Sequence, residues 1–179
     1  MALLKNERIS GKRLHLREFN ATDDQKVFFM SREAGMLRWI PDQVYEDLEE
    51  TRQVLGFLME QYQPDADPAS VPIVFAVVIS ETCDLIGHVG LSPIAGGVEI
   101  GYAIESCQQG RGYAAEAVEL MIEWAFSQFR LDSIQGIVAA ENIASARVLE
   151  KAGFDFCERR VQPYHGKGTE VLIFKALPK

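Results

Sequence analysis

Midway along the chain the apolar residues change their period. Residues 73–80, 85–92 and 98–104 are short apolar segments rich in β-branched side chains, separated by polar or glycine-containing turns. This pattern is typical of an antiparallel meander of strands. From Ala114 to Phe129 the apolar residues instead recur every three to four positions, which predicts a long amphipathic helix. The chain must therefore pack helices against a sheet.

The segment before the meander predicts one strand and two helices. Alternating apolar and polar residues in 13–19 indicate a half-buried strand. Asp23 and Asp24 are suited to cap a following helix, and the leucine spacing in 45–62 predicts a second one. Residues 63–72 are rich in Pro, Asp and Ser and predict a surface loop.

The segment after the long helix predicts three more strands and a short helix. Residues 133–140 fit a fifth strand, and 144–152 fit a helix that ends at Gly153 in a left-handed cap. Two alternating runs on either side of 163–168 predict a terminal hairpin. The fold class is therefore α/β (α+β), with a single mixed, mostly antiparallel sheet flanked by helices. Its length predicts one domain over residues 1–179.

Composition excludes several classes of partner and compartment. The 18 Lys and Arg residues against 26 Asp and Glu give a net charge of −8, so we expect no nucleic-acid binding. The sequence has no run of 18 apolar residues, and its first residues turn polar by Lys5, which argues against a membrane partner and a secretion signal. The three cysteines fit neither a disulfide framework nor a metal motif. We expect a cytoplasmic protein with reduced structural thiols and no metal.

A glycine-containing turn joins the strand at 98–104 to the long helix. Gly110 and Gly112 allow the backbone to approach a bound group closely. The first turn of the helix adds unpaired N–H groups and the positive end of the helix dipole, so the turn predicts a site for phosphate or pyrophosphate. A tight strand-to-helix connection is the alternative interpretation. The turn does not match the dinucleotide-binding motif GxGxxG, because Ala115 stands in place of its third glycine.

Two blocks of the sequence carry a family resemblance. The turn fits the pattern Gln/Arg-x-x-Gly-x-Gly/Ala through Gln109, Gly112 and Ala114, and residues 142–154 (NIASARVLEKAGF) fit Asn-x-x-Ser…Glu-Lys-x-Gly-Phe. Together they resemble the GNAT superfamily of acyl-CoA N-acyltransferases, in particular its ribosomal-protein N-terminal acetyltransferase (RimJ/RimL-type) branch. The resemblance spans roughly residues 85–157. Many members of the branch have threonine in place of Ala115, so one hydroxyl contact to phosphate is missing.

The resemblance implies a GNAT fold and acetyl-CoA as co-substrate. In that fold the fourth and fifth strands, here 98–104 and 133–140, splay apart, and the pantetheine arm follows the fourth strand. The pyrophosphate is expected on the backbone amides of Gln109 to Ala114. The residues expected to bind the cofactor are Tyr102, Ala103, Ile104, Gln109, Gly110, Arg111, Gly112, Tyr113, Ala114, Asn142 and Ser145.

Attack of an amine on a thioester needs a base and a group that stabilises the thiolate. Glu99 lies where the family often places a carboxylate, so it is the candidate base. The alternative is a solvated strand carboxylate, because Val98 and Ile100 face the opposite side of the strand. A buried Glu99 with a raised pKa would favour catalysis.

The resemblance assigns Ser145 to the coenzyme A sulfur, where it would donate a hydrogen bond to the thiolate. An ordinary serine in the first turn of a helix is the alternative. Asn142 is expected near the pantetheine, but asparagine is also a preferred helix N-cap. Arg111 is the cation best placed for phosphate, ahead of Arg147 and Lys151, for which solvated surface charge is the default.

Other side chains are weaker candidates for a catalytic or acceptor-binding role. His88 and His165 are candidates because histidine is the side-chain type most often used as an acid or base, but a lone histidine is more often structural. Trp39 and Tyr45 lie where this fold shapes the acceptor pocket, although core packing explains them equally well. Cys107 precedes the loop, but the family normally transfers the acyl group directly, which argues against a covalent intermediate.

The sequence therefore predicts a cytoplasmic N-acetyltransferase that moves an acetyl group from acetyl-CoA to a primary amine by direct attack. The acceptor is a protein N-terminus or an amine-bearing small molecule, and a homodimer is compatible with the sequence. Two alternatives remain open at this stage: a coenzyme A-binding module without turnover, and a nucleotide-binding regulatory module.

Overall fold

The computed structural model describes residues 8–179. Residues 1–7, where the early change to polar residues at Lys5 argued against a secretion signal, lie outside the described residues. The strands are β1 (Arg8–Ser10), β2 (Leu14–Arg17), β3 (Ile73–Ile79), β4 (Leu85–Ile94), β5 (Gly97–Ile104), β6 (Ile134–Ala139), β7 (Asp155–Tyr164) and β8 (Lys167–Ala176). The α-helices are α1 (Asp24–Ser31), α2 (Ala34–Trp39), α3 (Leu48–Glu60), α4 (Tyr113–Gln128) and α5 (Ile143–Lys151).

The strands form one sheet in the order β1-β2-β3-β4-β5-β6-β8-β7. Neighbouring strands run antiparallel except β5 and β6, which are parallel and share the single pair Glu99–Gln135. Beyond that pair the two strands diverge towards the C-terminal end of β5. The predicted mixed sheet and the predicted splay of the fourth and fifth strands are confirmed, with β5 and β6 as those strands.

Helices cover both faces of the sheet. On one face α4 and α5 bury Met121, Trp124 and Leu149 against strand residues such as Phe75 and Ile100. On the other face α1 and α3 cover a smaller cluster. Burying such large apolar side chains contributes about 1.5–3 kcal/mol each. This packing fixes the ends of β5 and α4, between which the glycine turn runs.

The helices between β2 and β3 differ from the prediction in number and in capping. Three α-helices occur there instead of two. Asn20, not Asp23 or Asp24, accepts the capping bond, from the Thr22 N–H at 2.9 Å. The Asp23 carboxylate completes a capping box by accepting the Asn20 N–H at 2.9 Å, and it also accepts two bonds of 2.8 Å from Arg17. The guanidinium is a charged donor, and such hydrogen bonds are stronger than those between neutral groups.

Later elements follow the prediction closely. Gly153 ends α5 with φ of 87°, in the left-handed region that a side chain disfavours. The terminal hairpin turns at His165 and Gly166, which both have positive φ. Its tip folds back over the sheet, since the Tyr164 hydroxyl donates to the Ile137 carbonyl in β6 at 3.1 Å.

Candidate active site

A cavity of about 980 Å³ lies where β5 and β6 diverge. It continues across the gap in the sheet, so that it is lined from α2 on one side and from α5 on the other. The predicted site residues that line it are Glu99, Tyr102, Ala103, Ile104, Gln109, Gly110, Gly112, Tyr113, Ala114, Asn142 and Ser145. The structure thus brings together every predicted site residue except Arg111.

One end of this cavity is the glycine turn. Gly110 and Gly112 have φ of 75° and 80°, values that a side chain makes costly. The Glu116 N–H makes the first helical bond of α4, to the Gly112 carbonyl at 3.2 Å. Among residues 8–179 no acceptor meets the backbone N–H groups of 110–115. These free donors at a helix N-terminus are suited to a phosphate group.

The first predicted donor of the loop is occupied. The Gln109 N–H donates to the Ser106 carbonyl at 3.3 Å, closing a turn of 3-10 helix. Its side-chain Nε2 donates to the Ile104 carbonyl at 2.8 Å. Gln109 therefore holds the loop to the end of β5, and the free donors begin at Gly110 instead of Gln109.

The cations near the loop also differ from the prediction. Arg111 is exposed and does not line the cavity, whereas Arg147 and Lys151 of α5 both line it. Helix α5 points these two side chains at the cavity because its opposite, apolar face packs on the sheet. The positive charge available to a phosphate group thus comes from α5.

Arg13 holds the loop from outside the cavity. Its Nη1 donates to the Arg111 carbonyl at 2.8 Å, and its Nε donates to Glu116 at 2.8 Å. Its guanidinium also lies 4.7 Å from the centre of the Tyr113 ring. A Cβ added to Gly112 would lie 3.4 Å from Arg13 Nη2, so a side chain there would face Arg13. Sequence analysis missed Arg13 because it is distant in the chain from the loop.

The backbone of β5 offers donors and acceptors to the cavity. The Glu105 N–H donates to Ile86 of β4, and in an antiparallel pair every second residue faces the partner strand. Ala103 therefore turns its backbone groups towards β4, whereas Tyr102 and Ile104 turn theirs towards the gap beside β6. Of the three residues predicted to bind pantetheine through the backbone, two have the required orientation.

Glu99 lines the cavity from one face of β5, and its neighbours Val98 and Ile100 are in the core on the other face, from which Ile100 also reaches the cavity. Among the described residues no hydrogen bond or ion pair to its carboxylate is found. Burial raises the pKa of Glu99 to about 7, because the charged form loses hydration. A carboxyl group that titrates near neutrality is suited to general base catalysis.

Ser145 is held in the first turn of α5. Its N–H donates to Asn142 Oδ1 at 3.1 Å, so Asn142 is an N-cap, as its structural interpretation predicted. The Ser145 hydroxyl lies 2.7 Å from the Tyr102 hydroxyl. This contact was not predicted, because the family resemblance implied a role for Tyr102 only through its backbone.

The other end of the cavity is built from segments far apart in the sequence. Trp39 and Ile40 contribute apolar surface from the end of α2, opposite the hairpin tip. There His165 Nδ1 lies 2.5 Å from Asp42 Oδ2, so the tip contacts the turn after α2. Burial and the nearby charge of Glu99 raise the pKa of Tyr164 to about 12, which keeps its hydroxyl protonated.

Other candidate side chains lie elsewhere. His88 lies beside the smaller cavity that Tyr45 lines, and burial lowers its pKa to about 4. Cys83, Cys107 and Cys157 are free and exposed, which corrects the prediction of structural thiols. Within residues 8–179 no group of three or more His, Cys, Asp and Glu side chains is arranged for a metal ion. In the same range no helix is long and apolar enough to cross a membrane.

Comparison with known proteins identifies the family. Residues 13–155 match the model of the acetyltransferase (GNAT) domain. The chain belongs to the GNAT acetyltransferase family. It is 30% identical over 147 residues to the uncharacterized N-acetyltransferase YnaD of Bacillus subtilis (strain 168), covering 81% of each chain.

Solved GNAT structures share the fold. A GNAT-family acetyltransferase from Bacillus anthracis superposes with a TM-score of 0.80 at 23% identity, over 96% of this chain and 98% of that one. RimL, a ribosomal L7/L12 α-N-protein acetyltransferase solved with coenzyme A, gives 0.79 at 15% identity, over 96% and 98%. The protein is an N-acetyltransferase of this family, and a catalytic function is favoured over a binding module without turnover.

Proposed function

We propose that this GNAT acetyltransferase transfers the acetyl group of acetyl-CoA directly to a primary amine, with Glu99 as the base. One observation carries the proposal: a single cavity connects the free backbone donors of 110–115 with the half-buried carboxyl group of Glu99, whose pKa is about 7. A module that only bound coenzyme A would have no need of such a carboxyl group at the far end.

The residues of the loop and of α5 fit the phosphate groups of acetyl-CoA. The N–H groups of 110–115 would hold the pyrophosphate, with Arg147 and Lys151 supplying positive charge. The backbone of Tyr102 and Ile104 would bind the pantetheine arm along β5. Acetyl-CoA supplies an activated thioester, and the Tyr102 N–H faces the gap where it would polarise the thioester carbonyl.

Glu99 would take a proton from the acceptor amine, directly or through one water molecule. An amine attacks only in its neutral form, and its ordinary pKa lies above neutrality, so a base is required. The raised pKa of Glu99, about 7, suits this step because the group accepts a proton readily and remains partly ionised at neutral pH. Ser145 would donate a hydrogen bond to the departing thiolate.

The acceptor class is a primary amine on a protein N-terminus or on a small molecule. The end of the cavity beside Glu99 has an apolar wall from Trp39 and Ile40 and polar groups from the hairpin tip. RimL acts on a ribosomal protein N-terminus, which supports including N-terminal peptides among the acceptors tested. A cytoplasmic location, the lack of nucleic-acid and membrane partners and a homodimer stay predictions.

The test is release of free coenzyme A from acetyl-CoA with a panel of amines. The panel contains N-terminal peptides, amino acids, polyamines and amine antibiotics, and Glu99→Gln serves as the control. Amine-dependent release that falls sharply in Glu99→Gln supports the proposal. Tight binding of acetyl-CoA without release for any amine favours the binding module, and stabilisation by ATP or NAD above that by acetyl-CoA favours a nucleotide regulator.

A further inference from the structure

The Tyr102 hydroxyl forms a contact that neither the fold nor the family motif requires. Tyr102 lies on β5, and Ser145 lies on α5, the helix that follows β6. Their hydroxyl pair therefore connects β5 with the helix after β6, the strand from which β5 diverges. Both residues line the large cavity. In the proposed reaction this pair would lie beside the thiolate, because Ser145 is the residue proposed to donate to it.

The geometry of the pair permits two arrangements of its protons. Tyr102 Oη has one proton and two acceptors in reach: Ser145 Oγ at 2.7 Å and the Ser145 carbonyl at 2.9 Å. When the tyrosine proton points to the carbonyl, the serine hydroxyl donates to Tyr102. When the tyrosine proton points to Ser145 Oγ, the serine proton is free to donate into the cavity.

The second arrangement makes Ser145 the stronger donor. A hydroxyl that accepts one hydrogen bond becomes polarised and donates its own more strongly. Phenols are ordinarily more acidic than aliphatic alcohols and donate strongly. Burial raises the pKa of Tyr102, so the phenol keeps its proton throughout the neutral range.

We propose that Tyr102 is a positioning residue: its hydroxyl donates to Ser145 Oγ and so turns the serine proton towards the sulfur of the leaving group. This inference rests on the proposed function of the same cavity. As the amine nitrogen bonds to the carbonyl carbon, the C–S bond breaks and its electron pair stays on sulfur. The amine proton goes to Glu99, and the thiolate accepts the hydrogen bond from Ser145 until it takes a proton from solvent.

The chain offers a matched control for loss of a tyrosine hydroxyl. Tyr62 is buried in the core and its hydroxyl donates to the Val74 carbonyl at 2.5 Å. It also accepts the Phe19 N–H at 3.1 Å. Tyr62 lies outside the large cavity, so Tyr62→Phe removes both hydrogen bonds of a tyrosine hydroxyl without touching Ser145. Both Tyr→Phe changes should lower stability. A positioning role requires that only Tyr102→Phe changes the pKa of the coenzyme A thiol.

The first experiment titrates the thiol of coenzyme A bound to the protein, followed by the ultraviolet absorption of the thiolate. Hydrogen-bond donors near the sulfur lower the pKa of that thiol. We expect Tyr102→Phe to raise it by about one pKa unit, a tenfold change in the ionisation constant, and Ser145→Ala to raise it at least as much. The double variant should match Ser145→Ala, and Tyr62→Phe should match the unchanged protein.

A Tyr102→Phe protein that titrates like the unchanged one overturns the inference, as does a double variant in which the two shifts add. With an active acceptor in hand, kinetics give a second readout. Tyr102→Phe should lower kcat with acetyl-CoA more than with the acetyl ester of the selenol analogue, whose leaving group needs less stabilisation. If no amine is acetylated but the titration pattern holds, the proposed function fails and Tyr102 still positions Ser145.

Discussion

The two ends of the large cavity are built in different ways. The phosphate end uses backbone N–H groups from one continuous segment, 110–115, whose shape depends on two glycines with positive φ. The acceptor end uses side chains from α2, β5 and the hairpin tip, which meet only in the folded chain. Under the proposed function the first end would hold the phosphate groups of acetyl-CoA, whereas the second would determine which amine is used.

Removing the carboxylate of Glu99 should have the largest effect and should act only on the acceptor end. In Glu99→Gln we expect kcat to fall at least about 100-fold, the lower part of the range for a general base, while the KM for acetyl-CoA changes little. Steady-state rates against both substrates measure this. A fall in acetyl-CoA affinity as large as the fall in kcat would show that the two ends do not act separately.

The pH dependence sharpens the same prediction. The pKa of Glu99 is raised to about 7 from 4.5, so activity should rise with pH to about 7 and then level off, and Glu99→Gln should lose that rise. Because the folded state holds the proton more tightly than the unfolded state, this group makes the protein less stable as pH rises from 4.5 to 7. Glu99→Gln should therefore be more stable than the unchanged protein at pH 8, as measured by urea unfolding.

At the phosphate end, Gly112→Val should weaken acetyl-CoA binding about tenfold or more. A β-branched residue disfavours φ of 80° by more than the 1–2 kcal/mol of an ordinary left-handed residue, so the loop should relax out of the conformation that binds. Binding must then restore that conformation, and 1.4 kcal/mol is a factor of ten in affinity. Calorimetric titration measures the change. Gly153→Val carries the same backbone cost at φ of 87° away from the free donors, so it should lower stability but leave the affinity nearly intact.

The contact between the hairpin tip and Asp42 should have a smaller effect, confined to the acceptor. His165→Ala removes the bond to Asp42, and an exposed polar pair contributes about 0.2–1 kcal/mol. We expect the acceptor KM to rise up to about fivefold without a change in the acetyl-CoA KM. Arg52→Ala, which breaks the surface pair with Asp24, is the control and should change neither constant.

Variants of Asn142 can show whether this residue contacts acetyl-CoA in addition to capping α5. Asn142→Ala should cost about 1 kcal/mol of stability through loss of the N-cap, and Asn142→Ser should restore most of it, since serine is also a preferred cap. Thermal unfolding measures both variants. If acetyl-CoA affinity recovers in Asn142→Ser together with stability, then the cap alone accounts for Asn142.

The features that could be predicted from the sequence depend on local chemistry. The period change at Ala114 and the glycine cap at Gly153 both depend on neighbours within a few residues, and both predictions are confirmed. The glycine turn that precedes α4 was predictable for the same reason. The prediction of a free backbone N–H at Gln109 was wrong, because that N–H donates to the Ser106 carbonyl in a 3-10 turn. No local sequence pattern predicts this turn.

Contacts between distant segments were beyond the sequence. The Tyr102–Ser145 pair joins residues 43 positions apart and the His165–Asp42 pair joins residues 123 apart. Neither pair has a local pattern, since each depends on how the sheet splays and how the hairpin folds back. The same reason explains why Arg147 and Lys151 of α5, instead of Arg111, supply the cations of the cavity.

Through Arg13, the conformation of the glycine loop depends on the first strands of the sheet. The bond from Arg13 to the Arg111 carbonyl spans 98 positions of the chain, and Arg13 itself does not line the cavity. Any change that separates β2 from α4 would remove the restraint that Arg13 places on the loop. The backbone N–H groups of 110–115 would then no longer share one orientation. Acetyl-CoA would then be lost from a cavity in which every lining residue is intact, so weak binding in a variant is no proof that the altered residue touches the ligand.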